Sequence, residues 1–229
     1  MKHYTWLLFD ADGTLLDFSM AERNALITAL AAHGVTADEE IITTYSVINE
    51  AIWKQIETGE FDRADLNRVR FSRLAERYGF SYDPEQLGRD YFACMAEQRF
   101  LLDGALELCQ TLKENYSLAI VTNGTASVQH GRLDGTPLLA CMDGLFISQE
   151  IGAEKPSPAF FDAVAAAIPG FSRDRALVIG DSLTSDIAGG IAAGIDTCWY
   201  NPAGKAAPAD RTPTYTVRSF DELRALLGV

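Results

Sequence analysis

Short polar segments directly follow three apolar runs of the sequence. They read Asp10-Ala11-Asp12-Gly13-Thr14, Thr122-Asn123-Gly124 and Gly180-Asp181-Ser182. Asp10 and Asp12 are two residues apart, so in an extended chain their carboxylates would share one face and repel each other unless a cation or a proton lies between them. A surface strand that ends in an Asp-Gly turn would show the same residues, so the first segment alone leaves its role open.

Lys155 adds a positive charge to this set, and Pro156 favours an extended conformation for it. By itself, Lys155 would be interpreted as a solvated surface lysine. Carboxylates are ligands for a hard cation such as Mg²⁺, and Thr122, Asn123 and Lys155 offer a hydroxyl, an amide and an ammonium that can contact phosphate oxygens. Together these groups predict a site for Mg²⁺ and phosphate.

The elements that must position these groups are strands of a parallel sheet. The first apolar run, Tyr4–Phe9, is continuous rather than alternating, which is typical of a strand buried on both faces. From residue 104 onward strand-like runs alternate with helical segments, which predicts a doubly wound parallel α/β sheet. The carboxyl ends of its strands lie along one edge, so the polar segments are expected to meet in one crevice. The later predicted strands are 117–121, 144–148, 175–179, 197–200 and 214–217; the predicted helices are 105–115, a short one after 124, 158–168, 184–193 and one from about 219; 204–213 is predicted to be a loop.

Residues 17–101 have a different character, because strand-like runs vanish and helix signals appear. Four helix starts are predicted from N-terminal capping patterns. They are a capping box at Ser19 and Glu22, a second at Thr36 and Glu39, Asp62, and Asp83-Pro84. We predict a helical domain of residues 17–101 inserted into an α/β core formed by residues 1–16 and 102–229.

The order of these motifs resembles that of the haloacid-dehalogenase-like hydrolases. The matching residues are Asp-x-Asp-Gly-Thr at 10–14, Thr-Asn at 122–123, Lys-Pro at 155–156, and Gly-Asp at 180–181 followed by Asp186. The resemblance covers the whole chain and implies a Rossmann-like core with an inserted mobile cap. It also implies an enzyme that hydrolyses phosphomonoesters with the help of Mg²⁺.

The resemblance further implies two catalytic carboxylates. Asp10 would attack phosphorus and form an aspartyl-phosphate, which divides a difficult displacement into two easier ones. Asp12 would protonate the leaving ester oxygen and then deprotonate the water that hydrolyses the intermediate.

The remaining motif residues would bind metal and phosphate. Mg²⁺ would be held by Asp10, by the backbone carbonyl of Asp12 and by Asp181. Thr122, Asn123 and Lys155 would bind the phosphoryl group. Asp186 would not bind the metal directly but would orient Lys155 or a metal-bound water.

Within the family, several segments resemble bacterial pyrimidine 5′-nucleotidases that act on noncanonical nucleotides. They are Ile147–Gly152, Gly189–Gly194, Thr197–Asn201, Trp53, Arg70-Phe71 and Ala75–Arg77. The sequence departs from that pattern at Cys141-Met142, where an aromatic pair is frequent. The expected substrate is therefore a small phosphomonoester, most simply a pyrimidine nucleoside monophosphate. A sugar-phosphate phosphatase, a phosphomutase, a haloacid dehalogenase and a catalytically silent binding module are the alternatives.

Other patterns allow simpler interpretations. An EF-hand would have its glycine at the sixth position, whereas Gly13 is fourth after Asp10 and a strand precedes it. Arg70, Arg73 and Arg77 fall on one helical face, which is more typical of a solvated face than of a substrate-binding stripe. We interpret Trp53 and Phe18 as packing residues, rather than platforms for a base.

Composition limits the partners. The formal net charge of −13 disfavours binding to a nucleic-acid polymer or an anionic membrane. We find no signal-peptide pattern and no apolar run near the ~20 residues that span a bilayer. Cys94, Cys109, Cys141 and Cys198 form no Cys-x-x-Cys pair and are predicted to be small buried side chains. These features predict a cytoplasmic protein, which we expect to be a monomer or a homodimer.

Overall fold

The computed structural model describes residues 3–209 and 211–229. Met1, Lys2 and Asp210 lie outside the described residues, so part of the predicted loop 204–213 is not tested. The chain forms two compact units, one of Met1–Asp17 with Leu101–Val229 and the other of Phe18–Phe100.

The first unit contains one sheet of six parallel strands in the order β3-β2-β1-β4-β5-β6. This order confirms the predicted doubly wound parallel sheet. The strands are β1 Trp6–Phe9, β2 Ser117–Thr122, β3 Gly144–Ile147, β4 Ala176–Gly180, β5 Asp196–Tyr200 and β6 Tyr215–Val217.

Helices cover both faces of this sheet. The helices of the unit are α5 Ala105–Leu112, α6 Ala126–Leu133, α7 Ser148–Ile151, α8 Pro158–Ala167, α9 Ala188–Ala192 and α10 Phe220–Leu227. Leu7 and Phe9 of β1 belong to one core cluster with residues of α5, α6 and α10, whereas Leu8 belongs to a second cluster with residues of α8. Alternate β1 side chains thus pack on opposite faces, which explains why the run is continuously apolar.

Three segments of the first unit differ from the prediction. The predicted helix 184–193 is a π-helical segment, Leu183–Ile187, followed by α9. The predicted helix 105–115 ends at Leu112, and the short helix α7 was not predicted. The π-helical segment contains Asp186, and such segments are frequent at functional sites.

The second unit has the four predicted α-helices, numbered here α1 Phe18–Ala32, α2 Glu39–Glu57, α3 Leu66–Tyr78 and α4 Pro84–Ala96. A 3-10 turn, Arg63–Asp65, precedes α3, and Asp62 accepts a hydrogen bond from Ala64 N at 2.8 Å. Asp83 caps α4 as predicted, since its carboxylate accepts from Glu85 N at 2.9 Å.

The two predicted capping boxes are wrong. Ser19 lies inside α1, and Glu22 is buried there, accepting hydrogen bonds from Ser46 Oγ and Asn49 Nδ2. Asp38, and not Thr36, caps α2 by accepting from Ile41 N at 2.9 Å. In both cases a suitable pair at the right spacing was present, but tertiary contacts or a better neighbouring carboxylate decided the helix start.

The predicted solvated arginine face is wrong for Arg70. Arg73 and Arg77 are exposed, whereas Arg70 is 1% exposed. Its guanidinium carbon lies 4.6 Å from the ring centroid of Tyr91 and 4.8 Å from that of Phe92. A guanidinium stacks on aromatic faces more readily than an ammonium does, so this arginine is a packing residue of the helical unit.

Trp53 also packs, as predicted, against the cluster of Ile52, Ile56 and Leu66. All four cysteines are free, and the expectation of burial is wrong for Cys94, which is half-buried. Within the part of the chain that the structure describes, no helix has both the length and the hydropathy needed to cross a membrane.

Candidate active site

The site begins where three adjacent strands end. The central strand β1 pairs with β2 on one side and β4 on the other, with Phe9 in register with Ile120 and Ile179. Asp10 follows β1 directly, and its N–H donates to Ile179 O at 2.8 Å. The registers therefore bring the polar segments after β1, β2 and β4 to one edge of the sheet, where ligands of such folds bind.

Lys155 reaches this edge from the chain after α7 and is 1% exposed. Its ammonium donates to Asp10 Oδ1 at 2.7 Å, to Asp186 Oδ1 at 2.6 Å and to Val121 O at 2.7 Å. All three ammonium protons thus have acceptors. The lysine is fixed between the proposed nucleophile and Asp186.

Asn123 holds the backbone of Lys155. Its Nδ2 donates to Lys155 O at 2.7 Å, and its Oδ1 accepts from Lys155 N at 2.9 Å. The side chain therefore connects the end of β2 to the lysine loop. A direct contact between Asn123 and phosphate stays a prediction.

Thr122 has a hydroxyl whose direction is set by its neighbours. Thr122 is 1% exposed, and its Oγ1 accepts from Gly124 N at 2.9 Å and from Gln129 Nε2 at 2.9 Å. A hydroxyl oxygen has two acceptor lone pairs, so both are used here. The hydroxyl proton is left for donation to another acceptor, which suits a phosphoryl oxygen.

Glycines make room for the charged side chains. A Cβ on Gly180 would lie 2.1 Å from Asp186 Oδ2, and a Cβ on Gly13 would lie 2.7 Å from Asp181 Oδ2. Gly13 also has a φ of 80°, a left-handed conformation that glycine adopts without strain. These close approaches explain why a glycine adjoins each of the two acidic segments.

Asp10, Asp181 and Asp186 form a carboxylate cluster in which one oxygen from each lies within 4.8 Å of the others. Asp186 is buried, and its Oδ2 accepts from Ser182 N at 3.1 Å. Against these three carboxylates Lys155 supplies one positive charge. The hard oxygen donors and the uncompensated negative charge fit a divalent cation such as Mg²⁺.

The pKa values of the cluster reflect the crowding of charge. Burial raises the pKa of Asp10 well above its usual range; Lys155 opposes this shift, and the charges of Asp186 and Asp181 add to it. Asp181 is exposed, yet partial loss of solvation at its carboxylate, followed by the charge of Asp186, raises its pKa to about 7. For Lys155, burial works against the charged form, but Asp10 and Asp186 outweigh it and raise the pKa, so the ammonium stays protonated.

Asp12 lies apart from this cluster and is held by two residues of α6. Its Oδ2 accepts from Gln129 Nε2 at 2.8 Å, and its Oδ1 pairs with Arg132 Nη1. Sequence reasoning missed both partners, because α6 was interpreted only as a short helix. Their spacing of three residues, which places them on one helical face, was the available signal.

The motifs, the parallel sheet and the cluster at its edge all agree with a comparison to protein families. The haloacid dehalogenase-like hydrolase family matches residues 4–194 of the chain. The chain belongs to this family.

Two curated relatives are described as pyrimidine 5′-nucleotidases. PynA of Streptococcus pneumoniae (strain ATCC BAA-255 / R6) is 40% identical over 221 residues, with 96% of this chain and 93% of PynA covered. YjjG of Escherichia coli (strain K12) is 35% identical over 224 residues, with 98% of both chains covered. This haloacid dehalogenase-like hydrolase therefore has full-length relatives with a named nucleotidase activity.

A solved structure matches the whole chain as well. YfnB of Bacillus subtilis, described as a HAD-hydrolase, has a crystal structure with a TM-score of 0.95 and 38% sequence identity, and all of both chains is covered. That structure is described as bound to magnesium and as revealing interdomain movement.

Proposed function

We propose that this hydrolase is a Mg²⁺-dependent phosphomonoesterase that acts on pyrimidine nucleoside 5′-monophosphates. The observation that carries the proposal is the arrangement at the sheet edge, where the Asp10–Asp181–Asp186 cluster and Lys155 share one edge with the donor hydroxyl of Thr122. A carboxylate nucleophile, a cation site and phosphate donors are the groups that phosphoryl transfer through an enzyme ester requires.

Mg²⁺ would be held by the carboxylates of Asp10 and Asp181 and by the backbone carbonyl of Asp12. When bound, it neutralises the repulsion between a carboxylate nucleophile and the phosphate dianion. Asp186 accepts a hydrogen bond from the Lys155 ammonium, which also donates to Asp10, and so holds the ammonium beside Asp10.

The chain's own residues would carry the two steps. A carboxylate oxygen of Asp10 forms a bond to phosphorus while the bond from phosphorus to the ester oxygen breaks, and Asp12 gives a proton to that leaving oxygen. Asp12, now a carboxylate, then takes a proton from the water that attacks phosphorus. Phosphate is released and Asp10 is restored.

The choice of a pyrimidine nucleotide rests on the described activities of PynA and YjjG. Dehalogenation is less well supported, because cleavage of a carbon–halogen bond leaves a halide that needs no proton from Asp12. A phosphomutase would share the aspartyl-phosphate but would have to protect it from water.

A substrate panel tests the proposal. Phosphate release should be measured with Mg²⁺ for UMP, dUMP, dTMP, AMP, GMP and several hexose phosphates, and halide release for a 2-haloacid, with Asp10→Asn as the matched inactive control. We expect the highest kcat/KM for the pyrimidine 5′-monophosphates and no turnover by the Asp10→Asn variant. A hexose phosphate whose kcat/KM exceeds that of UMP by about tenfold, the lower end of what one methylene group in an apolar pocket can change, would replace the nucleotidase assignment with a sugar-phosphate phosphatase. Halide release without phosphate release would overturn the phosphatase assignment itself.

A further inference from the structure

We propose that Gln129 and Arg132 are positioning residues that fix Asp12 and Thr122 in the orientations the reaction needs. The inference rests on the proposed function, because it takes Asp12 as the proton donor to the leaving group and Thr122 as a phosphate donor. It adds two residues of α6, which lie outside the metal and phosphate motifs, to the working parts of the site.

Arg132 supports Asp12 from the buried side. The Arg132 side chain has no exposed surface, whereas the Asp12 side chain is 25% exposed. A buried guanidinium is costly to desolvate unless it is paired and hydrogen-bonded, so this pair differs from an exposed surface ion pair that could form and break freely. Asp12 is therefore bound by a buried arginine, while part of its own side chain remains exposed to solvent, from which a substrate would arrive.

Gln129 connects Asp12 to Thr122. Its Nε2 carries two protons, and it donates to Asp12 Oδ2 at 2.8 Å and to Thr122 Oγ1 at 2.9 Å. Both protons of one amide nitrogen thus serve two residues that are far apart in the sequence. Because the second bond and the one from Gly124 N occupy the two lone pairs of Thr122 Oγ1, they limit the directions in which the hydroxyl proton can point.

The side-chain amide of Gln129 occupies space that is free because residue 124 is a glycine. A Cβ on Gly124 would lie 2.1 Å from Gln129 Nε2, a distance at which the amide would have to move. Gln129 itself has no exposed surface. The amide is therefore buried and packed closely against the backbone of Gly124, which limits how far it can move.

The two oxygens of Asp12 are each bound by one donor, Oδ1 by Arg132 and Oδ2 by Gln129. Two contacts from one rigid helix determine the rotation of the carboxyl about its side-chain bonds, which one contact would not do. General acid catalysis depends on the distance to the proton acceptor, so loss of this support should slow proton transfer without removing the acid itself.

A dependence on the leaving group separates positioning from a merely structural role. UMP has an alkoxide leaving group that requires a proton, whereas p-nitrophenyl phosphate releases a stable phenolate. The variants are Arg132→Met, Arg132→Lys, Gln129→Met and Asp12→Asn, and His130→Gln is the control on the exposed face of the same helix.

We expect Arg132→Met to lose about 100-fold in kcat for UMP and less than about tenfold for p-nitrophenyl phosphate, the same pattern as Asp12→Asn. Arg132→Lys should recover part of the loss on UMP, because an ammonium can again donate a hydrogen bond to Asp12 Oδ1 and hold the carboxyl group in position. Gln129→Met should lose activity on UMP and also raise the KM for both substrates, because Thr122 is no longer oriented. His130→Gln should match the wild type. In the Asp12→Asn background, Arg132→Met should cost less than about threefold more, since residues that act through one group are not additive.

The outcomes distinguish this inference from the function on which it rests. If Asp12→Asn loses UMP and p-nitrophenyl phosphate turnover equally, the acid role of Asp12 fails, and the positioning role fails with it. If Asp12→Asn shows the selective loss but the Arg132 and Gln129 variants lose both activities equally, or neither, only the positioning role is overturned. Should Arg132→Met fail to fold, as judged by circular dichroism, Arg132→Lys and Gln129→Met give the same decision.

Discussion

Replacement of Lys155 by methionine should destabilise the protein in a way that depends on pH. The ammonium is 1% exposed and pairs with Asp10 at 2.7 Å and Asp186 at 2.6 Å. Methionine keeps much of the side-chain volume but leaves these buried carboxylates without their cation. Removal of one partner from a buried ion pair costs about 3–5 kcal/mol. For a protein of this size, 1 kcal/mol corresponds to about 2–4 °C in Tm, so the expected loss is roughly 6–20 °C.

The sign of the pH dependence follows from the carboxylates. Burial already raises the pKa of Asp10, and Lys155 is the group that opposes this shift. Without Lys155 the folded variant holds the proton of Asp10 more tightly than the folded wild type does, so the loss of stability relative to the wild type becomes smaller as pH falls. The loss in Tm should therefore be largest at pH 8 and smaller at pH 5.5.

The assay is calorimetric unfolding of both proteins at these two pH values, with chelator present so that no cation replaces the ammonium. Lys113→Met is the matched control, because Lys113 is exposed and its ammonium donates to Ala140 O at 2.7 Å. Its effect should be below about 0.5 kcal/mol, as for most surface substitutions. A Lys155→Met loss as small as that of the control, or one that is the same at both pH values, would refute the reasoning.

Three further predictions concern the site. Chelation should stop phosphate release and added Mg²⁺ should restore it, whereas Ca²⁺ should support it poorly because it accepts more ligands in a looser geometry; full activity in excess chelator would remove the metal from the account. The apparent affinity for Mg²⁺, measured by titration calorimetry, should fall roughly tenfold from pH 8 to pH 6, because the proton competes for Asp181, whose pKa in the absence of metal is about 7; an affinity independent of pH would contradict this. Gly124→Ala should lower kcat by roughly 10- to 100-fold with the fold retained, because its Cβ would lie 2.1 Å from Gln129 Nε2; a wild-type rate would show that the close approach is relaxed at no cost.

The sheet and the meeting of Asp10, Thr122 and Asp181 at its edge could be predicted from the sequence, whereas Lys155 follows no strand and only the order of the motifs suggested its place there. A strand buried on both faces has a continuous apolar run, and the residue after it falls at a known edge of the sheet. These are local patterns whose consequence in three dimensions is fixed by the topology.

Polar side chains buried on helices could not be predicted in the same way. Arg70 and Arg132 are both 1% exposed, yet a charged residue on a short helix is most often solvated. Their burial depends on partners distant in sequence, namely Asn49 and the Tyr91 ring for Arg70 and Asp12 for Arg132. Spacing along a helix shows which residues share a face, but it does not show what that face meets.

The most direct test of the proposed mechanism is to trap the enzyme ester on Asp10. The wild-type enzyme, mixed with Mg²⁺ and UMP labelled at phosphorus, should be quenched with acid within milliseconds, digested, and analysed by mass spectrometry. We predict a phosphoryl group on the peptide that contains Asp10, its release by hydroxylamine as expected for an acyl phosphate, and neither label nor turnover in Asp10→Asn. Turnover of UMP by Asp10→Asn, or a label on another residue, would contradict the account.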